Sequence, residues 1–305
     1  MTSRLQTSLF GIVLKTPVLA ASGTFAYGVE FREHVNLAEL GGVIVKGLSR
    51  EPMDGNPPPR MFETGSGMLN SIGLQNIGVR AFVRDKLPEL RDLGATVFAN
   101  IFGYAVEDYV EVARVLEDAE GVAGYELNVS CPNTKHGGMY FSSDPVLLAE
   151  VVSAARKVAG HRPIIVKLSP NVAKIEPLAK AAAEAGADAI SLINTFVALA
   201  IDPRTRRPRL GAGMGGLSGP AIKPIALRMV YEAARAVSIP VIGLGGIATG
   251  TDAAEFLIAG ASAVQVGTAN FFDPGAPERI AAELDRFLEQ QNVARAADLV
   301  GTLKL

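Results

Sequence analysis

Eight short apolar runs, each closing on a polar or glycine residue, punctuate this chain: PVLAAS, GVIVKG, TVFANI, YELNVS, PIIVKL, AISLIN, PVIGLG and AVQVGT. Continuously apolar runs of this length suit parallel strands covered on both faces. Parallel strands need crossover connections, and helical patterns such as DPVLLAEVVSAARKVAG and GTDAAEFLIAGA lie between the runs. Asp144 and Pro145 predict the N-cap and first residue of the former helix, and Thr251 or Asp252 a cap for the latter. Eight strand-then-helix units favour closure into a (β/α)8 TIM barrel over an open doubly wound sheet. SLFGIVLKTP, ahead of the first run, reads as an N-terminal β-hairpin closing the bottom of the barrel. Length alone permits two domains, but barrels commonly reach this size as one, and no linker or low-complexity tail interrupts residues 1–305. One domain is expected.

Two connections are long, and both follow a strand: Ser49–Leu74 and Phe196–Gly219. Long loops without structure of their own are usually lids or binding loops, and βα loops lie on the catalytic face of a barrel. Pro57, Pro58 and Pro59 stiffen the first excursion, whereas DPRTRRPRLGAGMGG reads as a mobile second.

The strand ends are polar. In order they present Ser22, Lys46, Asn100, Asn128 with Cys131, Lys167, Asn194 with Thr195, Gly245 with Gly246, and Gly267 with Thr268. A single lysine at a strand end is ordinarily a snorkelling surface residue. Lys46 and Lys167 end different strands of one barrel, which favours a shared anionic ligand. GLGGIATG after strand seven and VGTANFF after strand eight fit the phosphate site that barrels build from those loops, with Gly219 as a further close backbone approach. Asparagine offers an acceptor and two donors in one plane, matching an amide or imide edge. Asn100, Asn128 and Asn194 at or near strand ends, with Asn70 and Asn133 in adjoining loops, therefore suit a cyclic amide such as a pyrimidinedione, and Lys46 with the NSIGL backbone, Asn70–Leu74, suits its carboxylate.

Cys131 is the only cysteine. A lone cysteine is most often a small buried hydrophobe, but Pro132 ends the strand just after it and the loop NTKHGG follows. Cys131 therefore faces a ligand from a loop. No second thiol exists, and His34, His136 and His161 show no ligand spacing, so a metal site is not expected. With a reference thiol pKa of about 8.5, Cys131 is a usable general base near neutrality.

A net charge of −2 gives no reason to expect nucleic acid or an anionic membrane as partner. Lys15 and Pro17 interrupt the N-terminal apolar stretch, and Glu184 and Asp188 break the longest candidate span. A single cysteine excludes an intrachain disulfide. These features predict a cytoplasmic protein.

ELNVSCPNTKHGG, NSIGLQN, VKLSPN, INT and GLGGI…VQVGTA resemble the class 1 dihydroorotate dehydrogenases, in order from ASGTF to VGTANFF. Cysteine in the base position with the KHGG continuation is most similar to class 1B, the NAD-linked type. The resemblance implies a flavoprotein of pyrimidine synthesis, oxidising (S)-dihydroorotate to orotate. FMN would be held by Ser22, Lys46, Gly47, Asn100, Asn128, Lys167, Ile193, Gly219, Gly245, Gly246, Gly267 and Thr268. Substrate would meet Lys46, Asn70, Ser71, Ile72, Gly73, Leu74, Asn128, Asn133, Asn194 and Thr195. Cys131 would take the C5 proton, and Lys167 would stabilise negative charge on reduced flavin. Class 1B further implies a homodimer of barrels within a heterotetramer, whose second subunit carries FAD and a 2Fe–2S cluster. One cysteine cannot supply the four thiolates such a cluster takes, and no βαβ unit here opens with GxGxxG.

Three other readings stand beside this one. A class 1A enzyme would run the same chemistry without a partner, with fumarate as acceptor. Other FMN barrels that act on pyrimidines, such as dihydropyrimidine dehydrogenase and tRNA-dihydrouridine synthase, use a loop cysteine as an acid; the latter also needs a basic RNA surface. A non-catalytic barrel binding a phosphorylated metabolite would need the glycine turns, but neither Cys131 nor the two lysines.

Overall fold

A computed structural model of the chain describes residues 4–130, 132–133 and 139–305. At its centre is a closed parallel barrel whose strands, in chain order, are Val18–Ala20, Gly42–Ile44, Val97–Ile101, Val122–Asn128, Ile164–Lys167, Ala189–Leu192, Val241–Leu244 and Ala263–Val266. These are the eight apolar runs of the sequence. Each strand pairs with its neighbours in the chain, and the eighth closes on the first, with Val264 opposite Val18 and Val266 opposite Ala20.

Strand side chains alternate between faces, and the two faces here have separate cores. Val97, Ala99, Ile101, Ile164, Val166, Ile190 and Leu192 pack outward into the main core with the surrounding helices. Leu19, Ile44, Phe98, Ile165, Ala189, Ile242 and Ala263 make a second cluster within the barrel. The hairpin caps that cluster. Thr7–Leu9 pairs antiparallel with Ile12–Leu14 across Phe10 and Gly11, both at positive φ, as a two-residue hairpin turn requires. Leu9 and Leu14 then bury themselves against the inner cluster, closing the barrel bottom as predicted.

Outside lie helices Val79–Asp85, Leu87–Asp92, Val106–Glu117, Pro145–Arg156, Glu176–Glu184, Lys223–Ala236, Gly250–Ala259 and Ala276–Gln290. The connection from strand one to strand two uses short 3-10 turns instead, Val29–Phe31 and Leu37–Glu39. Asp144 caps its helix as expected, accepting from the N–H groups of Val146 and Leu147. For the helix after strand seven the expected cap is corrected: Thr249 is the N-cap, and Asp252 closes a reciprocal capping box from the third helical position. Asp252 thus serves the cap from inside the helix.

The two long excursions are also corrected from unstructured loops. Their segments Phe196–Ala198, Gly215–Ser218, Gly67–Asn70 and Met61–Thr64 form one four-stranded antiparallel sheet, in that order. The central pairing sets Gly216 against Asn70 and Ser218 against Met68, so the excursion read as mobile is laddered to the proline-stiffened one. Among the described residues, no helix is long and apolar enough to cross a membrane.

Candidate active site

Toward the C-terminal ends of the strands the barrel interior turns polar. Two residues beyond the apolar positions Ile44, Phe98, Ile165, Ala189 and Ala263 stand Lys46, Asn100, Lys167, Ser191 and Gln265, with Glu126 beside them on strand four. Glu126 is fully buried. Its Oε1 accepts from Ser191 Oγ at 2.9 Å and from Gln265 Nε2 at 2.7 Å. Its Oε2 accepts from Asn100 Nδ2 at 2.7 Å and, more weakly, from Ser22 Oγ at 3.4 Å, with Lys167 Nζ at 3.6 Å. Lys167 also donates to Ser22 Oγ at 3.2 Å.

Above this floor opens a cavity of about 1040 Å³, at the upper end of the range for ligand pockets and large enough for a cofactor with a small substrate. Its walls bring together Ser22, Lys46, Gly47, Asn100, Asn128, Lys167, Ile193, Gly219, Gly245, Gly246, Gly267 and Thr268 with Asn70, Ser71, Ile72, Gly73, Leu74, Asn194 and Thr195. Every candidate site residue is there except Cys131 and Asn133. Cys131 lies outside the described residues. Asn133 belongs to a short strand, Pro132–Asn133, paired with Met139–Tyr140; its side chain also lies outside what is described. Ser130, next to Cys131 in the chain, lines the cavity and accepts from Asn194 Nδ2 at 3.0 Å.

One end of the cavity is built from glycine. Gly246 sits at φ 80°, and a Cβ there would stand 2.8 Å from Lys223 Cβ and 2.9 Å from the Gly219 carbonyl oxygen. The end of strand seven thus touches the turn that leads from Gly219 into helix Lys223–Ala236. From strand eight, Thr268 Oγ1 donates to Ser218 Oγ at 2.8 Å, tying that loop to the same turn. Backbone from three connections converges as a phosphate cradle requires.

Another part of the wall is the amide side. Asn194 Nδ2 donates to Asn128 Oδ1 at 3.3 Å, and Asn194 Oδ1 accepts from Thr195 N–H at 2.8 Å. The Asn70–Leu74 segment is held from behind by two asparagines that the sequence reading did not select. Asn56 donates from Nδ2 to the Ser71 carbonyl at 3.0 Å and from its backbone to the Ile72 carbonyl at 3.0 Å. Asn76 donates to the Leu74 carbonyl at 2.8 Å and accepts from Gly78 N–H at 2.8 Å. Gly73, at φ 72°, passes so close to Asn56 that a Cβ would lie 2.4 Å from its backbone nitrogen. Ser71 Oγ is buried without a hydrogen-bond partner on this wall, as expected of a group facing a ligand. Burial, with the nearby Arg60 charge second, pushes the Lys46 ammonium below its ordinary pKa. An incoming carboxylate would restore it.

The sequence reading also missed Glu126, Ser191 and Gln265. The available signal was a carboxylate and an amide inside otherwise apolar strands, YELNVS and AVQVGT, at positions two residues short of a recognised site residue. Among the described residues no cluster of histidine, cysteine, aspartate and glutamate offers a metal site.

The model of one known protein family, described as dihydroorotate dehydrogenase, matches residues 4–288. A Solibacter usitatus protein named a putative dihydroorotate dehydrogenase A (fumarate) is 73% identical over 304 residues, covering all of both chains. Proteins of Geobacter sulfurreducens and Geobacter metallireducens, each named dihydroorotate dehydrogenase B (NAD(+)), catalytic subunit, are 56% and 54% identical over 301 residues. In both cases the match covers 99% of this chain and 98% of the relative.

Proposed function

The chain belongs to the dihydroorotate dehydrogenase family, oxidoreductases acting on a CH–CH bond, and from that premise we propose how its cavity does the work. Residues 1–305 act as one flavin-binding domain that oxidises (S)-dihydroorotate to orotate in de novo pyrimidine biosynthesis. The family is flavin-dependent, and FMN is the flavin that fits: the glycine end suits one phosphate, and the cavity leaves room for a substrate beside the ring. The observation that carries this reading is the meeting of a glycine-built phosphate end, the buried Lys167 and half-buried Lys46, and a wall of asparagines in one cavity.

FMN would be held by Gly219, Gly245, Gly246, Gly267 and Thr268 at its phosphate, and by Ser22, Lys46, Gly47, Asn100, Asn128, Lys167 and Ile193 along the rest. When bound, it supplies the acceptor for the hydride that leaves C6 of dihydroorotate. The protein's own part is to bind, orient and take a proton. Asn128, Asn133, Asn194 and Thr195 match the amide and imide edges, while Lys46 and Asn70–Leu74 take the carboxylate. Cys131 accepts the C5 proton, so the C5–C6 double bond forms as hydride and proton leave. Lys167 places positive charge where reduction creates negative charge.

Electrons then pass to NAD through a second subunit, a step supported by relatives named as catalytic subunits; that subunit would carry FAD and a 2Fe–2S cluster, whose four thiolates this chain's one cysteine could not supply. The assembly is a heterotetramer around a homodimer of barrels, in the cytoplasm, with neither nucleic acid nor membrane as partner. A second reading, fumarate as acceptor without a partner, is favoured by the name of the 73% identical relative. Anaerobic mixing of the FMN-loaded chain with dihydroorotate separates them. Bleaching that fumarate reverses assigns the fumarate type. Bleaching that neither fumarate nor NAD reverses until a partner is added assigns the NAD type, and no bleaching refutes the substrate. Cys131→Ala should retain FMN and bleach slowly, with Cys131→Ser recovering rate mainly at high pH; undiminished bleaching in Cys131→Ala near neutral pH refutes the base.

A further inference from the structure

We propose that Glu126 is a positioning residue of this reaction: it fixes the Lys167 ammonium at the cavity wall and, by offsetting its charge, sets the reduction potential of the flavin bound there. The inference rests on the reading of the cavity as an FMN site and adds a residue that does not itself line that cavity.

A fully buried carboxylate in a strand of the core is costly, and an aliphatic side chain would fill the space without that cost. Every neighbour of Glu126 is a donor: Asn100, Ser191, Gln265 and Ser22, with the Lys167 ammonium beside them. Such a ring suits a side chain that accepts on both of its oxygens, as a carboxylate does. Gln265 shows the pull of that charge. Its amide nitrogen is committed to Glu126 while its own oxygen stays buried without a partner.

The two carboxylate oxygens divide the ring. Oε1 faces Ser191 and Gln265, which do not line the cavity; Oε2 faces Ser22, Asn100 and Lys167, all of which line it. Glu126 therefore connects the barrel floor to three of the groups assigned to the cofactor. Lys167 is itself almost completely buried, so solvent screens its charge poorly and Glu126 is its countercharge. A carboxylate there would lower the potential that the lysine alone would impose, because reduction adds negative charge to a bound flavin.

The test is the midpoint potential of the FMN-loaded full chain at pH 6, for wild type, Glu126→Gln, and the double variant Glu126→Gln/Gln265→Glu. The double variant keeps the buried charge and the side-chain volumes but moves the carboxylate to strand eight. Glu126→Gln is expected to favour reduced over oxidised FMN by at least tenfold, about 30 mV upward for a two-electron couple. The double variant should shift the same way by less, and it carries the test if the single variant does not fold. A merely structural role weakens oxidised and reduced FMN alike and leaves the potential where it was. An unchanged or lowered potential in a folded variant overturns the inference while leaving the FMN reading intact. A wild-type chain that holds no FMN overturns both.

Discussion

Replacing Asn76 with alanine tests whether the back of the substrate wall determines what its front can bind. Asn76 is buried, and its side chain meets the Leu74 carbonyl and the Gly78 N–H at 2.8 Å each. Removing it strands one acceptor, the Leu74 carbonyl, and two donors, the N–H groups of Gly78 and Ser49, at about 1–3 kcal/mol apiece when buried. The Ser49 bonds lie outside the Asn70–Leu74 segment and bear on it less; of the other two, Gly78 is buried but Leu74 is half-exposed, so water reaches the second and the share that bears on the segment is about 2 kcal/mol. That energy holds Asn70–Leu74 in place before a ligand arrives. If the ligand must order the segment instead, its affinity falls by roughly 30-fold, at 1.4 kcal/mol per tenfold. The glycine end of the cavity lies on other loops, so FMN affinity should change less than about threefold by the same scale. The assay is the flavin difference spectrum on orotate titration, beside FMN content per chain. Orotate binding within about threefold of wild type, or equal losses for orotate and FMN, would refute the idea that Asn76 acts through the segment.

Three other perturbations follow from the same geometry. Leu14→Ala empties part of the plug at the barrel bottom and should cost about 3 kcal/mol, lowering Tm by about 5 °C for a chain of this length. Flavin bleaching at 25 °C should be unchanged, and a Tm within about 1 °C of wild type would refute the packing of the hairpin. Gly246→Ala places a methyl against Lys223 and the Gly219 carbonyl and should lower FMN affinity at least tenfold with the far-ultraviolet spectrum preserved; full flavin content would refute the phosphate assignment. For Lys46 the sign follows from a lowered pKa. The ammonium that a carboxylate needs is present at neutral pH and is lost as pH rises through a value below 10.5. Orotate affinity should therefore fall in that window in wild type and stay level in Lys46→Arg, whose guanidinium keeps its charge; identical profiles would refute the role.

The barrel itself was legible in the sequence because it depends on short-range pattern. Each strand is an apolar run, each crossover but the first carries a helical stretch, and closure follows from the number of strands. The residues at strand ends were legible for the same reason: in a barrel, the end of a strand has only one place to be. The helix cap at Thr249 was misplaced because Thr249, Thr251 and Asp252 all carry capping chemistry, and only backbone geometry chooses among them.

Tertiary structure alone decided two other matters. Pairing Gly216 with Asn70 joins strands nearly half the chain apart, and no local propensity encodes a partner at that distance. The Glu126 floor was hidden because each strand is buried on both faces, so the sequence does not show which residues face the helices and which face the lumen. Only when eight strands close does every second residue acquire a common neighbour, and donors from four other strands and from the loop after strand one meet around one carboxylate.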